Sequence, residues 1–454
     1  MRIAFIIAFG LVARLVVALT SKGYYHPDEF ESYLERAYYW AFPTHQHLLD
    51  IAASDAYRSR LIQGWHYLLI KATDVLVGFS PDRAYTAMRV IMALLSLVLI
   101  GSGVRMARRL MPERWVVIVA LVLSFWYYMP FFASRLLSEN YSALMIMPAL
   151  ALLAAQQNVR RAATFGALVA IATQFRLQSA FLMIGAVAVW LLSRRPALAV
   201  AAAAGFFGPF ALFGLSEALY REGPFASLRW YIHANITQGQ IGLYASPWYQ
   251  YLLSWNVQFT EWLFPFVLVL FAIAARRHVL LGATLVVFVA VHSVFPHKEI
   301  RFLYPILPAV IVMAIAGAYE LHQRWAPFPG RQRALMITLA AAILGAEFVH
   351  ICRTEWAGGA TNDGFRMLAL AGTLSECSQV SILGAGLQLG YFTLNRDIPM
   401  TRADRLVGPL PPPVPGTCLL FTRQLEKDVR RWLALTLTNT TPVTAGRYMV
   451  LERM

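Results

Sequence analysis

At 454 residues, with 58% hydrophobic and 14% charged side chains, the chain is too apolar for a soluble globular protein, which carries about 25% charged residues. Its net charge of +15 would suggest a nucleic-acid partner only if the basic residues formed a surface stripe, and they do not: most fall in short clusters between apolar runs, as cytoplasmic loops do. The three cysteines match no metal-site spacing, and no Walker A pattern or Gly-rich dinucleotide loop is present, so no nucleotide cofactor is expected.

Apolar runs of 15 to 20 residues recur along most of the length, which predicts an all-α polytopic membrane protein. The first, Ile3 to Leu19, has no small-residue cleavage site after it and reads as a retained helix rather than a signal peptide. Tyr24-Tyr25-His26-Pro27-Asp28-Glu29-Phe30 follows. Two adjacent carboxylates beside an imidazole sit where the chain leaves the bilayer, and carboxylates near hydrocarbon are costly enough to suggest a role. Pro27 fixes φ and favours a turn that orients Asp28 and Glu29; the alternative is a polar turn at a helix end.

Basic clusters set the expected topology. If Arg105, Arg108, Arg109 and Arg114, then Arg160–Arg161, Arg194–Arg195, Arg276–Arg277, and finally Arg324, Arg331 and Arg333 are all cytoplasmic, about eleven helices connect them. These are expected near 3–20, 87–104, 115–132, 138–155, 162–175, 178–192, 197–216, 260–275, 279–296, 302–321 and 334–351. Residues 61–79 look apolar, but Lys71 and Asp74 interrupt them, and a crossing there would invert every later loop. They are placed instead as an interfacial amphipathic helix within a long first external loop, 21–86. The second long external loop is 217–259. Residues 1–351 then form the transmembrane catalytic domain and 352–454 a small extracytoplasmic domain, with a short buried strand at Val380–Gly384 and a stiff linker at Pro411–Pro415. Cys377 and Cys418 can pair only if that region lies in an oxidising compartment.

With this topology the unusual polar residues collect on one side. Arg135, Glu139 and Asn140 share a turn, as do Arg176 and Gln178; the second external loop carries His233, Asn235, Trp248 and Tyr249. Each has a structural alternative: Arg135 and Glu139 as an i,i+4 pair, Arg176 snorkelling at a helix end, the aromatics as an interfacial belt. His297-Lys298-Glu299-Ile300-Arg301 is harder to explain structurally, since three basic side chains within five residues at the bilayer surface fit an anion. The set describes a lipid-linked phosphate substrate met by a carboxylate at the outer face. A polyprenyl-phosphate sugar fits, because its leaving group needs no general acid and one carboxylate base suffices for a single displacement with inversion.

His26-Pro27-Asp28-Glu29 resembles the first-loop motif of the GT-C mannosyltransferases that extend lipid-linked oligosaccharides and GPI-anchor precursors, glycosyltransferase family twenty-two. His297-Lys298-Glu299-Ile300-Arg301-Phe302-Leu303-Tyr304-Pro305 is similar to that family's second signature, and Tyr244-Ala245-Ser246-Pro247-Trp248-Tyr249 to its Tyr-Gly-Thr-His-Pro-Trp segment, with Ser246 in place of the usual His. Arg58-Ser59, Arg135-Leu136-Leu137-Ser138 and Phe175-Arg176-Leu177-Gln178 sit where the family has comparable basic turns. The resemblance covers about 1–320. It implies a GT-C fold, a polyprenyl-phosphate-mannose (dolichyl-type) donor, a glycan or glycolipid acceptor, no metal, and Asp28 as base with Glu29 the alternative. His297, Lys298 and Arg301 are the expected donor-phosphate ligands. Compact loops and an Ala/Leu/Arg-rich composition point to a bacterial member with its active site on the periplasmic face of the inner membrane; in a eukaryote the membrane would be that of the endoplasmic reticulum. A GT-C enzyme for another lipid-phosphate sugar, such as arabinose or glucose, and a lipid or sugar transporter are the competing readings.

Overall fold

The computed structural model describes residues 2–21, 24–43, 60–237, 245–258, 263–325, 359–383, 394, 400–403, 416–422, 429–430, 441–445 and 449–453. The expected helix at 334–351, the Arg58–Ser59 turn, Cys352 and the Pro411–Pro415 linker lie outside these residues. In chain order the helices are α1 (Arg2–Thr20), a wide-turned segment Glu29–Leu34 running into α2 (Glu35–Ala41), α3 (Arg60–Val77), α4 (Pro81–Leu95), α5 (Leu97–Leu110), α6 (Glu113–Phe125), α7 (Tyr128–Ala133), α8 (Ser138–Leu153) and α9 (Val159–Phe175). They continue with α10 (Phe181–Leu192), α11 (Pro196–Ser216), α12 (Ala226–Ile232), α13 (Gln250–Gln258), α14 (Leu263–Arg277), α15 (Val279–Val294), α16 (Leu307–Trp325) and α17 (Gly359–Thr373). Five strands follow: β1 (Gln379–Leu383), β2 (Met400–Ala403), β3 (Thr417–Thr422), β4 (Thr441–Ala445) and β5 (Met449–Arg453).

The protein is mostly helical. Four helical stretches among the described residues, Arg2–Thr20, Pro81–Leu110, Pro196–Leu219 and Ile300–Arg324, are long and apolar enough to cross a membrane. Several expected helices divide. The one expected at 87–104 starts at Pro81 and breaks at Ser96; the one at 115–132 breaks after Phe125; the one at 302–321 begins as a 3-10 segment, Ile300–Ile306, in which Pro305 brings no amide hydrogen.

By its contacts the chain divides into two compact units: Met1–Leu15, Ala56–Ser59 and Met92–Arg353 form one, and Val16–Asp55, Arg60–Ile91 and Thr354–Met454 the other. In the first, α9 packs on α8 and α11, α14 on α16, α10 on α15, and α5 on α6 and α8. Small residues permit this, as membrane helix pairs require: a Cβ on Gly166 would strike the Ala202 carbonyl and one on Gly205 the Ala163 carbonyl. Arg14 is buried in this unit, and a guanidinium at that depth demands partners. Its Nε donates to Ser96 Oγ (3.1 Å), Nη1 to the Gly10 and Ser124 carbonyls (3.0 Å each) and Nη2 to the Leu123 carbonyl (2.8 Å). It thereby ties α1 to the α4–α5 break and to the end of α6.

In the second unit α3 packs on α2. It is amphipathic: Ile62, Gln63, His66 and Ile70 are buried, Leu68, Val75 and Leu76 exposed. Gln63 Nε2 donates to the Ser32 carbonyl (3.0 Å), and burial takes the His66 imidazole down to about 3, so it stays neutral. The strands form one sheet in the order β2-β1-β3-β5-β4, parallel from β2 to β3 and antiparallel thereafter. This adds four strands to the one expected at 380–384. Pro442 sits on the edge strand β4 at a register shift, where a missing amide hydrogen costs least.

Cys377 and Cys418 are joined by a disulfide with Cα atoms 5.4 Å apart. The protein denatured without reductant should therefore show one free thiol, where three would refute the bond. Replacing both by serine is expected to lower the stability of the sheet by about 2–4 kcal/mol, read from unfolding with and without reductant.

Candidate functional site

The first unit holds a connected ionic network at the ends of three helical elements. Glu139, in the first turn of α8, is fully buried. Its Oε1 accepts from Arg176 Nη1 (2.9 Å) and lies 3.4 Å from Arg301 Nη1, while Oε2 accepts from Ser138 Oγ (3.0 Å). Arg176 follows the C-terminus of α9, and Arg301 opens the 3-10 segment before α16. Arg301 also donates through Nε and Nη2 to the two oxygens of Glu299 (2.6 and 3.1 Å), and Glu299 Oε1 is 2.8 Å from His297 Nε2. Phe302 is the platform beneath: the guanidinium carbons of Arg176 and Arg301 lie 4.1 and 5.4 Å from its ring centre. Arg176 Nε has no hydrogen-bond partner among the described residues, which leaves this guanidinium with unused donor capacity.

Lys298 faces elsewhere. Its Nζ donates to the carbonyls of Ser246 (2.9 Å), Phe295 (2.5 Å) and Pro296 (3.4 Å), and burial lowers its affinity for the proton. With Ser246 N–H donating to the Pro296 carbonyl (2.9 Å) and a bridge between Ala245 and His297, it fastens segment 245–247 to segment 295–298. The two motif stretches singled out in the sequence thus touch. Lys298→Met is expected to loosen this junction, lowering the unfolding temperature and exposing 245–247 to protease, with donor affinity little changed. A loss of donor affinity at unchanged stability would instead make Lys298 a phosphate ligand.

The remaining candidates separate into groups. Arg135 is buried with its guanidinium 4.4 Å over Phe131, and its carbonyl accepts from Asn140 Nδ2 (2.6 Å). Gln178 Nε2 donates to Tyr231 Oη (2.6 Å), and Asn235 Nδ2 to the Tyr231 carbonyl (2.9 Å), so Tyr231 joins the 176–178 turn to α12. His233, Trp248 and Tyr249 are exposed, the first edge-on to Trp230 and the other two edge-on to each other. Sequence reasoning passed over Tyr231 and gave no role to Ser138 or Phe302, although both lie in the motif stretches quoted above.

The second unit holds the other cluster. Backbone bonds from the Glu29 amide to the His26 carbonyl (3.1 Å), and from the Phe30 and Glu31 amides to the Pro27 carbonyl (3.0 Å each), close the turn that Pro27 was expected to favour. The two carboxylates then diverge. Glu29 is fully buried and its Oε1 accepts from the Tyr25 amide (2.8 Å). Asp28 keeps 18% of its side chain exposed; Ser32 Oγ donates to its Oδ1 (3.4 Å) and its own amide donates to His26 Nδ1 (3.2 Å). Phe30 anchors the turn against Tyr85 and Phe365, at ring-centre distances of 5.2 and 6.1 Å.

The profile of the Alg9-like mannosyltransferase family matches residues 5–358, so both clusters fall inside it. The chain belongs to that family. It is therefore a membrane glycosyltransferase, and the transporter reading falls away. No curated protein matches the sequence at a significant level. Among solved structures, the fold is similar to that of ArnT from Cupriavidus metallidurans bound to undecaprenyl phosphate, at TM-score 0.61 and 15% identity over 99% of this chain and 97% of that one. The apo state of the same protein gives TM-score 0.60 at 16% identity, with the same coverage. The Archaeoglobus fulgidus oligosaccharyltransferase tethered with an acceptor peptide gives TM-score 0.50 at 12% identity, over 87% of this chain and 63% of that one. These likenesses establish the GT-C fold for the family member described here.

Proposed function

We propose that this family member transfers a mannosyl residue from polyprenyl-phosphate-mannose to a hydroxyl of a glycan or glycolipid acceptor, on the non-cytoplasmic face of the membrane, with inversion. The observation that supports it is the Glu139–Arg176–Arg301 network. Two buried guanidiniums share one carboxylate over an aromatic ring, and Arg176 Nε has no hydrogen-bond partner among the described residues, as suits a phosphate in a partly dry site. Arg176 and Arg301 hold the donor phosphate, with His297 at its edge, and Lys298 fastens the segment that carries His297 and Arg301. That ArnT binds undecaprenyl phosphate on the same fold is in keeping with a lipid-phosphate donor.

The phosphate leaves as an anion, so no acid is required; the acceptor hydroxyl must lose its proton as the C1 bond breaks. Asp28 takes that proton, and Glu29 fixes the turn that presents it. Trp248 and Tyr249, outward-facing, and the Gln178–Tyr231–Asn235 group bear on lipid or acceptor contact. The basic ends of α5, α9, α10, α14 and α16 face the cytoplasm, about eleven helices cross, α3 lies in the interface, and residues 352–454 form an extracytoplasmic domain. The Cys377–Cys418 bond suits an oxidising compartment, the periplasm in a bacterial member.

The test is donor consumption by the purified full-length protein in detergent, with membrane glycolipids as acceptor. Release of polyprenyl phosphate from the mannosyl donor, and not from glucosyl or arabinosyl donors, is expected. Preference for either other sugar would overturn the donor assignment, and release from none would overturn the transfer reading.

A further inference from the structure

The first unit contains a cavity of about 1020 Å³ between the start of α1, the end of α5 and the start of α6. Its polar mouth is formed by Arg2, Arg105, Arg108, Arg109, Arg114 and Glu113. Glu113 is taken by Arg108, whose Nη2 donates to it at 3.1 Å. Arg2, Arg105, Arg109 and Arg114 make no ion pair or side-chain hydrogen bond among the described residues, so four of the five guanidiniums that line the cavity have no carboxylate partner. Below them the wall is apolar, with Ile3, Ile7, Val104 and Val117. Gly101 leaves the floor open: a Cβ built there meets nothing within 4 Å.

We propose that this cavity is a binding site for one anionic phospholipid of the bilayer, its phosphate on the arginines and an acyl chain along the apolar wall. Two of the four membrane-length stretches, Arg2–Thr20 and Pro81–Leu110, end at this mouth, which puts it at headgroup level. Like charges gathered around one cavity repel, and a phosphate relieves this while accepting bidentate contacts from planar guanidiniums. A soluble anion would use the charges but leaves the apolar wall and the open floor without a ligand, so the lipid accounts for both halves. Juxtamembrane arginines are drawn to an anionic leaflet, and a cavity that admits the headgroup adds specificity.

The experiment is native mass spectrometry of the full-length protein with equimolar phosphatidylglycerol and phosphatidylcholine of matched chains. Wild type should retain phosphatidylglycerol preferentially. The triple variant Arg105→Gln/Arg109→Gln/Arg114→Gln should lose that preference by about tenfold or more, with phosphatidylcholine retention and unfolding temperature unchanged. Gly101→Leu removes no charge, suits a helix better than glycine, and fills the floor; it should lower phosphatidylglycerol retention as well. Equal retention in wild type and both variants would overturn the proposal. Displacement of the lipid by millimolar inorganic phosphate would overturn it too, and would assign the cavity to a soluble anion.

Discussion

Asp28→Asn is expected to leave a folded protein that binds donor normally and turns over about 10²-fold or more slowly. The substitution is nearly isosteric. The asparagine side-chain oxygen can still accept from Ser32 Oγ and the backbone bond to His26 Nδ1 is untouched, so the substitution removes the base and, with it, the charge 3.6 Å from His26 Nδ1. Glu29→Gln should behave differently. Its carboxylate is fully buried and accepts the Tyr25 amide, a bond a glutamine oxygen can keep, so the expected result is a lower unfolding temperature with turnover reduced far less. Measuring kcat and donor KM for the two variants side by side separates the roles. Normal turnover in Asp28→Asn with loss in Glu29→Gln would transfer the base to Glu29, and loss in neither would remove this turn from the chemistry.

The choice between those two carboxylates was not legible in the sequence, and the reason is geometric. Adjacent residues in a turn point in different directions, but which one faces inward depends on where Phe30 finds its aromatic neighbours, Tyr85 and Phe365, the second of them more than 300 residues away. Among the described residues the long apolar helices were legible, because such runs leave the backbone one way to satisfy its polar groups in hydrocarbon, whereas α2, α12, α13 and α17 were not expected. Their interruptions were less so. The break at Ser96 coincides with the Arg14 guanidinium reaching Ser96 Oγ, and nothing in a run with one arginine reveals which carbonyls it will meet. Lys298 shows the limit for single residues. An ammonium is equally content with phosphate oxygens or three backbone carbonyls, so its residue type and motif could not distinguish a ligand from a clamp. In the tail, short strands joined by long connections carry little periodicity; Val380–Leu383 was read as a strand, while the equally apolar Cys418–Phe421 of β3 was passed over.

Glu139→Ala is expected to be the most destabilising substitution in the ionic network, at about 3–5 kcal/mol, because it leaves buried charges uncompensated. Arg176 and Arg301 have 9% and 5% of their side chains exposed and both address the same Glu139 oxygen. Glu139→Gln keeps an acceptor but not the charge, so it should cost less, and adding Arg176→Gln should recover part of that loss in a double-mutant cycle. The cycle also tests the site, since Arg176 without this carboxylate, and Arg301 keeping that of Glu299, attract a donor phosphate more strongly. Polyprenyl phosphate should then raise the unfolding temperature of Glu139→Gln by more than it raises that of wild type, through ligand linkage to the folded state. A stabilisation of equal size in both would mean that the phosphate does not meet these arginines and that the Glu139 network serves the fold alone. A Glu139→Ala protein as stable as wild type would dispose of the network altogether, because two guanidiniums this buried cannot lose their shared carboxylate without cost.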